Sequence, residues 1–115
     1  MAEECIFCRI AAGEIPGDIV YQDEEFVAFR DIAPQAPVHI LVIPRRHVSS
    51  LVDLTEQQQG LMGCIITLAN KLAVEQQVDK SGYRLVLNCG VEGGQIVPHL
   101  HLHLIGGRRL SDQLG

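Results

Sequence analysis

Residues 99–105 read His-Leu-His-Leu-His-Leu-Ile, so His99, His101 and His103 alternate with three leucines. Because successive side chains of a β-strand point to opposite faces, the pattern predicts a strand with all three imidazoles on one face. The other interpretation is a half-exposed strand that carries histidine only on its solvent side. Alternate strand residues lie about 6.6 Å apart, whereas metal–nitrogen bonds measure only about 2.0–2.1 Å. One ion could hold two neighbouring rings more easily than three, so we expect the row to serve two functions.

The rest of the chain predicts short strands around one long helix. Thr55 and Gln58 form a capping box, which predicts that the helix begins there and continues to about Val78. Apolar residues follow at helical spacing, namely Leu61, Ile65, Leu68 and Leu72. A short helix is predicted over residues 5–12 and a loop over residues 31–37, and strands are predicted at 19–21, 26–30, 38–43, 83–88 and 97–105. These five strands and two helices predict an α+β fold with an antiparallel sheet.

Composition predicts one domain over residues 1–115, located in the cytoplasm. Of the 115 residues, 47% are hydrophobic and 20% are charged, which suffices for a packed core. The net charge of -5 argues against binding to a nucleic-acid backbone. No apolar run approaches the roughly 18 residues that span a bilayer, and the first residues do not resemble a secretion signal. We therefore expect neither a nucleic-acid partner nor a membrane.

Cys5 and Cys8 form a Cys-x-x-Cys pair near the start of the chain. Two thiolates one helical turn apart, together with two imidazoles, make a tetrahedral zinc site. His47 lies in a predicted loop and His99 lies at the end of the histidine row, so these two would complete the set. The alternative is a pair of buried, reduced cysteines. A thioredoxin-like redox motif is less favoured, because no βαβ pattern surrounds the pair.

A glycine-rich turn precedes the histidines. Gly90, Gly93 and Gly94 permit positive φ angles and close backbone approach, so their amides could face an anion. Asn88 and Gln95 add neutral polar groups at the edges of the turn. Next to three imidazoles this combination favours a phosphate, with one imidazole as nucleophile. An ordinary tight hairpin turn remains the alternative.

The histidine row resembles the signature of the histidine triad family, His-φ-His-φ-His-φ-φ with φ apolar, at every position. Within that family the chain is most similar to the Hint branch. The similarity spans roughly residues 5–109 and rests on these further segments: Ile6-Phe7, Ala28-Phe29, Asp31-Ile32, Pro34-Gln35-Ala36-Pro37, His39, Ile43-Pro44, Asn88, Gly93-Gly94-Gln95 and Gly106-Gly107-Arg108.

The resemblance implies a homodimer joined through the long helix and a central strand, with one continuous ten-stranded sheet. It also implies binding of purine nucleotides and hydrolysis of nucleoside phosphoramidates such as adenylyl-amines. By matching position, His101 would be the nucleophile and form a covalent nucleotidyl-histidine. His103 would contact the α-phosphate and the leaving group, and His39 would position and help protonate the cluster.

The resemblance also assigns binding residues. Asp31 would bind the ribose, and the base would lie among Ile6, Phe7, Ile10, Phe29 and Ile32. The phosphate edge would comprise Asn88, Gly94 and Gln95. With its Cys-x-x-Cys pair the chain resembles a zinc-bearing subset of the family, in which Cys5, Cys8, His47 and His99 would be the ligands. Taken alone, Asp31 could instead be an Asx-turn residue, and His39 a hydrogen-bonded core histidine.

Two positions depart from the Hint pattern. Ile96 stands where these relatives usually carry serine, and Pro98 stands where an aromatic residue is common. The tail, residues 110–115, does not match the C-termini of the relatives. The missing serine hydroxyl suggests a second hypothesis, a nucleotide-binding regulatory protein with weak or vestigial hydrolysis. The cysteines and histidines leave a third, metal sensing or storage.

Overall fold

The computed structural model describes residues 5–114, which form one sheet and two α-helices. The helices are α1 (Ile6–Ala11) and α2 (Gln59–Glu75), and the strands are β1 (Ile19–Gln22), β2 (Phe26–Arg30), β3 (Val38–Pro44), β4 (Tyr83–Leu87) and β5 (Leu102–Gly106). Their order in the sheet is β1-β2-β3-β5-β4, and every neighbouring pair is antiparallel. The predicted α+β fold with a five-stranded antiparallel sheet is confirmed, and so is the loop over residues 31–37.

The alternation of side chains along the central strands builds a different core on each face of the sheet. On one face α2 covers the sheet, and this core includes Ile40, Val42, Leu102, Leu104, Ile65, Leu68 and Leu72. On the other face α1 covers Val27, Phe29, Leu41 and Ile43 with Phe7 and Ile10. His39 lies two residues before Leu41, and His103 pairs with Leu41 across β3 and β5. Both rings are therefore on the α1 face.

Both ends of α2 follow from local hydrogen bonds. The predicted capping box is present, but it caps a 3₁₀ turn (Glu56–Gln58) that leads into α2. The helix ends at Glu75, three residues before the predicted end. Gln77 has φ +62°, and its N–H donates to the carbonyl of Val74. The N–H of Val78 donates to the carbonyl of Ala73. This is a Schellman motif, which ends a helix by turning the chain through a left-handed residue.

The predicted strand over residues 97–105 is wrong in its first half, since β5 begins only at Leu102. The backbone before it makes other hydrogen bonds instead of sheet bonds. The N–H of His99 donates to the carbonyl of Val97 at 2.8 Å, and the N–H of Leu100 donates to the carbonyl of Val48 at 2.6 Å. Pro98 has no N–H to donate. His99 and His101 therefore lie on an irregular segment, and only His103 lies on the strand.

Within residues 5–114, no helix combines the length and apolar character that a membrane span requires. The cytoplasmic location stays a prediction.

Candidate active site

An apolar cavity of about 300 Å³ lies on the α1 face of the sheet and reaches two of the three histidines. Its walls come from α1, from the segment before β1, from β2 and the loop after it, and from the residues before β5. Among its lining residues are Ile6, Phe7, Ile10, Phe29, Asp31, Ile32, Ile96, His101 and His103. The fold thus brings together the predicted base, ribose and reactive residues. Asn88, Gly94 and Gln95 do not line this cavity.

His101 is buried, and the backbone fixes its proton. Its Nδ1 lies 2.7 Å from the carbonyl oxygen of His99. Because a carbonyl oxygen can only accept, Nδ1 carries the hydrogen, and a neutral ring then has its lone pair on Nε2. The ring packs edge-on against Phe7 at 5.1 Å and against His103 at 5.0 Å between centroids. A neutral His101 therefore has an unprotonated Nε2 in the wall of an apolar cavity.

His39 and His103 form a hydrogen-bonded chain with the backbone of Gln35. The amide N–H of Gln35 donates to Nδ1 of His39 at 3.0 Å, so a neutral His39 carries its proton on Nε2. That Nε2 lies 2.9 Å from Nδ1 of His103, which accepts the bond. A neutral His103 is consequently protonated on Nε2. The two adjacent histidines at the cavity thus present complementary atoms, a lone pair on His101 and an N–H on His103.

Asp31 contributes one oxygen to the loop and the other to the histidines. Its Oδ1 accepts from the N–H of Ala33 at 2.8 Å, which is the Asx-turn that the sequence allowed. Its Oδ2 lies 3.4 Å from Nε2 of His39. Since Asp31 also lines the cavity, its structural role does not remove it from the site.

Burial favours the neutral rings of His39 and His103. The pKa of His103 is lowered to about 4, mainly by desolvation and also by the neighbouring His101 and His39, while Asp31 acts in the opposite direction. Burial likewise lowers the pKa of His39, again opposed by Asp31. The tautomers described above for His39 and His103 hold when these two rings are neutral.

Cys5, Cys8, His47 and His99 form a separate group beside α1, with one ligand atom from each within 4.8 Å of the others. Nδ1 of His99 lies 3.3 Å from Sγ of Cys5 and 3.4 Å from Sγ of Cys8. Nδ1 of His47 lies 3.2 Å from Sγ of Cys8. In a tetrahedral zinc site the ligand atoms are about 3.5 Å apart, given bond lengths of about 2.0–2.3 Å. The spacing of these four atoms fits that geometry.

The surroundings of the group also suit a metal. Nε2 of the fully buried His99 donates to the carbonyl of Pro44 at 2.8 Å, which leaves Nδ1 as the ligand atom. Nε2 of His47 lies 3.3 Å from Oγ of Ser49. Burial, followed by the neighbouring Cys5, raises the pKa of the Cys8 thiol to about 11. A bound zinc ion would hold this thiol as a thiolate.

Asp31, His39 and His103 also lie close enough to one another to be considered as metal ligands. The hydrogen bond from Gln35 argues against this role. It occupies Nδ1 of His39, so Nε2 carries the proton, and a metal at Nε2 would have to displace it. The contacts favour a proton-bearing chain at this position.

The glycine turn is held by its own polar groups. Nδ2 of Asn88 donates to the carbonyl of Gly93 at 2.8 Å, and Oε1 of Gln95 accepts from the N–H of Gly90 at 3.0 Å. The N–H of Gly94, which has φ +82°, bonds to the carbonyl of Val91. A Cβ at Gly93 would lie 2.2 Å from the carbonyl oxygen of Cys89, so no larger residue fits there. These contacts make a tight turn, and its phosphate-binding role stays a prediction.

Sequence patterns did not reveal the backbone groups that orient the histidines. The N–H of Gln35 and the carbonyls of His99 and Pro44 fix which nitrogen is protonated in His39, His101 and His99 respectively. Gln35 was visible only as part of a matching segment. Every residue has a backbone carbonyl and every residue except proline has an N–H, so no residue type marks the groups that face an imidazole.

The chain is similar to known proteins along almost its whole length. The family model described as "Scavenger mRNA decapping enzyme C-term binding" matches residues 4–114. A protein of Escherichia coli strain K12 named "Purine nucleoside phosphoramidase" is 48% identical over 114 residues, which cover 99% of this chain and 96% of that protein. The crystal structure of a "HIT family hydrolase" from Legionella pneumophila Philadelphia 1 has a TM-score of 0.96 and 46% identity, covering 97% of this chain and 100% of that one.

A structure described as a zinc-bound histidine triad family protein from Mycobacterium smegmatis is also similar. Its TM-score is 0.79 and its identity 32%, covering 100% of this chain and 82% of that one. Together with the fold and the histidine row, these matches define the class: the chain belongs to the histidine triad family. It is a hydrolase of that family and a homologue of the E. coli purine nucleoside phosphoramidase.

Proposed function

We propose that this protein hydrolyses purine nucleoside phosphoramidates, or related nucleotide conjugates, through a covalent intermediate on His101. The observation that carries the proposal is the hydrogen bond from Nδ1 of His101 to the carbonyl of His99. It leaves Nε2 unprotonated in the wall of an apolar cavity that suits a flat base. The name of the E. coli homologue supports the choice of substrate.

The first step forms a bond between Nε2 of His101 and the α-phosphorus, using the lone pair of Nε2. The phosphorus–nitrogen bond of the substrate breaks, and its electron pair stays on the leaving amine, which takes up one proton. We assign that donation to Nε2–H of His103, with a solvent proton restoring the ring. Dividing one difficult displacement into two steps is the advantage of covalent catalysis.

The second step releases the nucleotide. Water attacks the phosphorus, the bond to Nε2 breaks, and its electron pair returns to His101. The proton lost by the water passes to solvent through the histidine cluster. Asp31 would hold the ribose, and the turn that contains Asn88, Gly94 and Gln95 would lie along the phosphate. His39 would keep His103 in its proton-donating tautomer.

The test is intact-protein mass spectrometry after rapid acid quenching with an adenosine phosphoramidate. Wild-type protein is expected to gain the mass of one adenylyl group, and His101→Ala is expected to gain none and to lose turnover by several orders of magnitude. Circular dichroism confirms that the variant folds. Near-normal turnover in His101→Ala would overturn the assignment.

The alternative, a nucleotide-binding regulatory protein with vestigial hydrolysis, has one observation in its favour. Ile96 lines the cavity with an almost fully exposed apolar side chain, where the Hint pattern has a hydroxyl. This alternative predicts measurable AMP or GMP binding without an adduct in the same quenching experiment.

We also propose one structural Zn²⁺ per chain, held by Cys5, Cys8, His47 and His99. The spacing of their ligand atoms and the hydrogen bond that frees Nδ1 of His99 support this assignment. Zinc supplies no step of the reaction above. When bound, it would cross-link α1 to the segment that carries His99.

A homodimer is part of the same proposal, with a ten-stranded sheet continued across β4. Support comes from β4 itself, an edge strand whose five residues are all half-buried. Ile66 and Val74 are further apolar side chains exposed on α2. Sedimentation velocity tests this proposal, since a dimer has twice the mass of one chain at micromolar concentration.

A further inference from the structure

Two successive residues of the turn after β5, Gly107 and Arg108, contact the loop that leads into β3. Nε and Nη2 of Arg108 both donate to the carbonyl oxygen of Gln35, at 3.2 and 2.9 Å. Gly107 has φ +95°, and a Cβ there would lie 3.0 Å from Cβ of Pro37. The backbone at Gly107 therefore packs directly on the loop. The guanidinium of Arg108 fixes the same loop through charge-assisted hydrogen bonds.

Gln35 connects this clamp to the histidines. Its carbonyl accepts from Arg108, while its N–H donates to Nδ1 of His39. Both peptide groups that flank the Cα of Gln35 are thus fixed. The N–H of Gln35 occupies Nδ1 of His39 and so leaves the proton on Nε2, where Oδ2 of Asp31 lies 3.4 Å away. His39 in turn determines the protonated nitrogen of His103.

We propose that Arg108 is a positioning residue: by fixing the backbone of Gln35, it selects the tautomer of His39 and places the proton of His103 on Nε2. The effect on turnover rests on the proposed function, but the effect on the tautomers does not. Arg108 is an exposed side chain that does not line the cavity. Its influence on the reaction therefore passes through Gln35 and His39.

Arg109 provides a matched control. It is the next residue, it is equally basic, and its side chain is 86% exposed, with Asp112 at 3.5 Å as its partner. A general effect of surface charge would appear in both arginine variants. An effect through Gln35 would appear only at Arg108.

The experiment compares full-length wild-type protein, Arg108→Met, Arg108→Lys and Arg109→Met, each labelled with ¹⁵N-histidine. Long-range ¹H–¹⁵N correlation at neutral pH identifies the protonated nitrogen of each ring. We expect Nε2 protonation of His39 and His103 in wild type and Arg109→Met, and mixed tautomers in Arg108→Met. Arg108→Lys, which keeps one donor for the carbonyl, should restore most of the wild-type pattern.

Turnover of an adenosine phosphoramidate is measured on the same samples. Arg108→Met should lower kcat about tenfold with little change in KM, because a misplaced proton weakens acid catalysis without altering the cavity. Wild-type tautomers in Arg108→Met, or the same changes in Arg109→Met, would overturn the positioning role. If Arg108→Met changes the tautomers but the wild-type protein does not turn over the phosphoramidate, the positioning role is supported and the proposed function is overturned.

Discussion

His99 and His101 are joined by a 2.7 Å hydrogen bond from Nδ1 of His101 to the backbone carbonyl of His99. The side chain of His99 meanwhile places its Nδ1 against the sulfur atoms of Cys5 and Cys8. One residue therefore faces two sites, the candidate metal group through its side chain and the candidate nucleophile through its backbone. Any disturbance of the first site is expected to reach the second.

Loss of the metal group should therefore reduce both metal content and activity. Purified wild-type protein is expected to contain about one zinc per chain by elemental analysis, and Cys8→Ala to contain almost none. We expect a lower Tm in Cys8→Ala and turnover reduced several-fold, because the metal cross-link that holds His99 is lost. Cys64→Ala removes an exposed cysteine outside the group and is the control. Loss of zinc in His101→Ala would contradict the separation of the two sites.

A hydroxyl at position 96 should increase turnover. The side chain of Ile96 is 91% exposed at the cavity, so serine fits without repacking. The serine hydroxyl would add one hydrogen bond to a charged phosphate in a partly exposed site. We therefore expect kcat/KM of Ile96→Ser to be about 3–10-fold higher than that of wild type. Ile96→Ala makes the same loss of apolar surface without the hydroxyl. Equal rates in the two variants would argue against a hydrogen bond from this position.

Ile32 should contribute to nucleotide binding and little to stability. It lines the cavity and is fully exposed, so a nucleotide base would cover it on binding. Ile32→Ala is expected to weaken AMP binding about fivefold by calorimetry, since it removes apolar area from the contact. Its free energy of unfolding should change by less than about 0.5 kcal/mol. Val52→Ala, at an exposed position outside the cavity lining, is expected to change neither quantity.

Folding stability should depend on pH through His103. Its pKa is about 4 in the folded protein against 6.5 ordinarily, so the unfolded chain binds more protons between these values. Stability is therefore full above pH 6.5 and is lost as the pH falls toward 4. With allowance for the partly exposed ring, His103 accounts for about 1–2 kcal/mol of that loss.

The measurement is urea unfolding of wild-type protein and His103→Asn at pH 7 and at pH 4.5. The variant should lose less free energy of unfolding between the two pH values than wild type does. An equal loss would mean that His103 is not held neutral by its surroundings.

Local patterns predicted the elements well where a single kind of interaction decides the structure. The spacing of Leu61, Ile65 and Leu68 requires a helix over the sheet, and the proline-containing loop over residues 31–37 cannot join the ladder. The strand prediction failed where other backbone groups, both near and distant in sequence, compete with the sheet for hydrogen bonds. His99 and Leu100 have a strand-like pattern, yet their N–H groups bond to Val97 and Val48. Alternation of residue types carries no information about that choice.

The sequence by itself determined the chemical inventory: the histidine row, the two cysteines, the antiparallel α+β architecture and the family. These follow from residue identity and spacing, which act over a few residues. Only the tertiary structure decided which nitrogen of each histidine carries its proton. The physical reason is that a tautomer is set by whichever donor or acceptor the fold places against the ring. Here those groups belong to Gln35, His99 and Pro44, and the carbonyl of Pro44 lies 55 residues away in sequence from the ring of His99 that it orients.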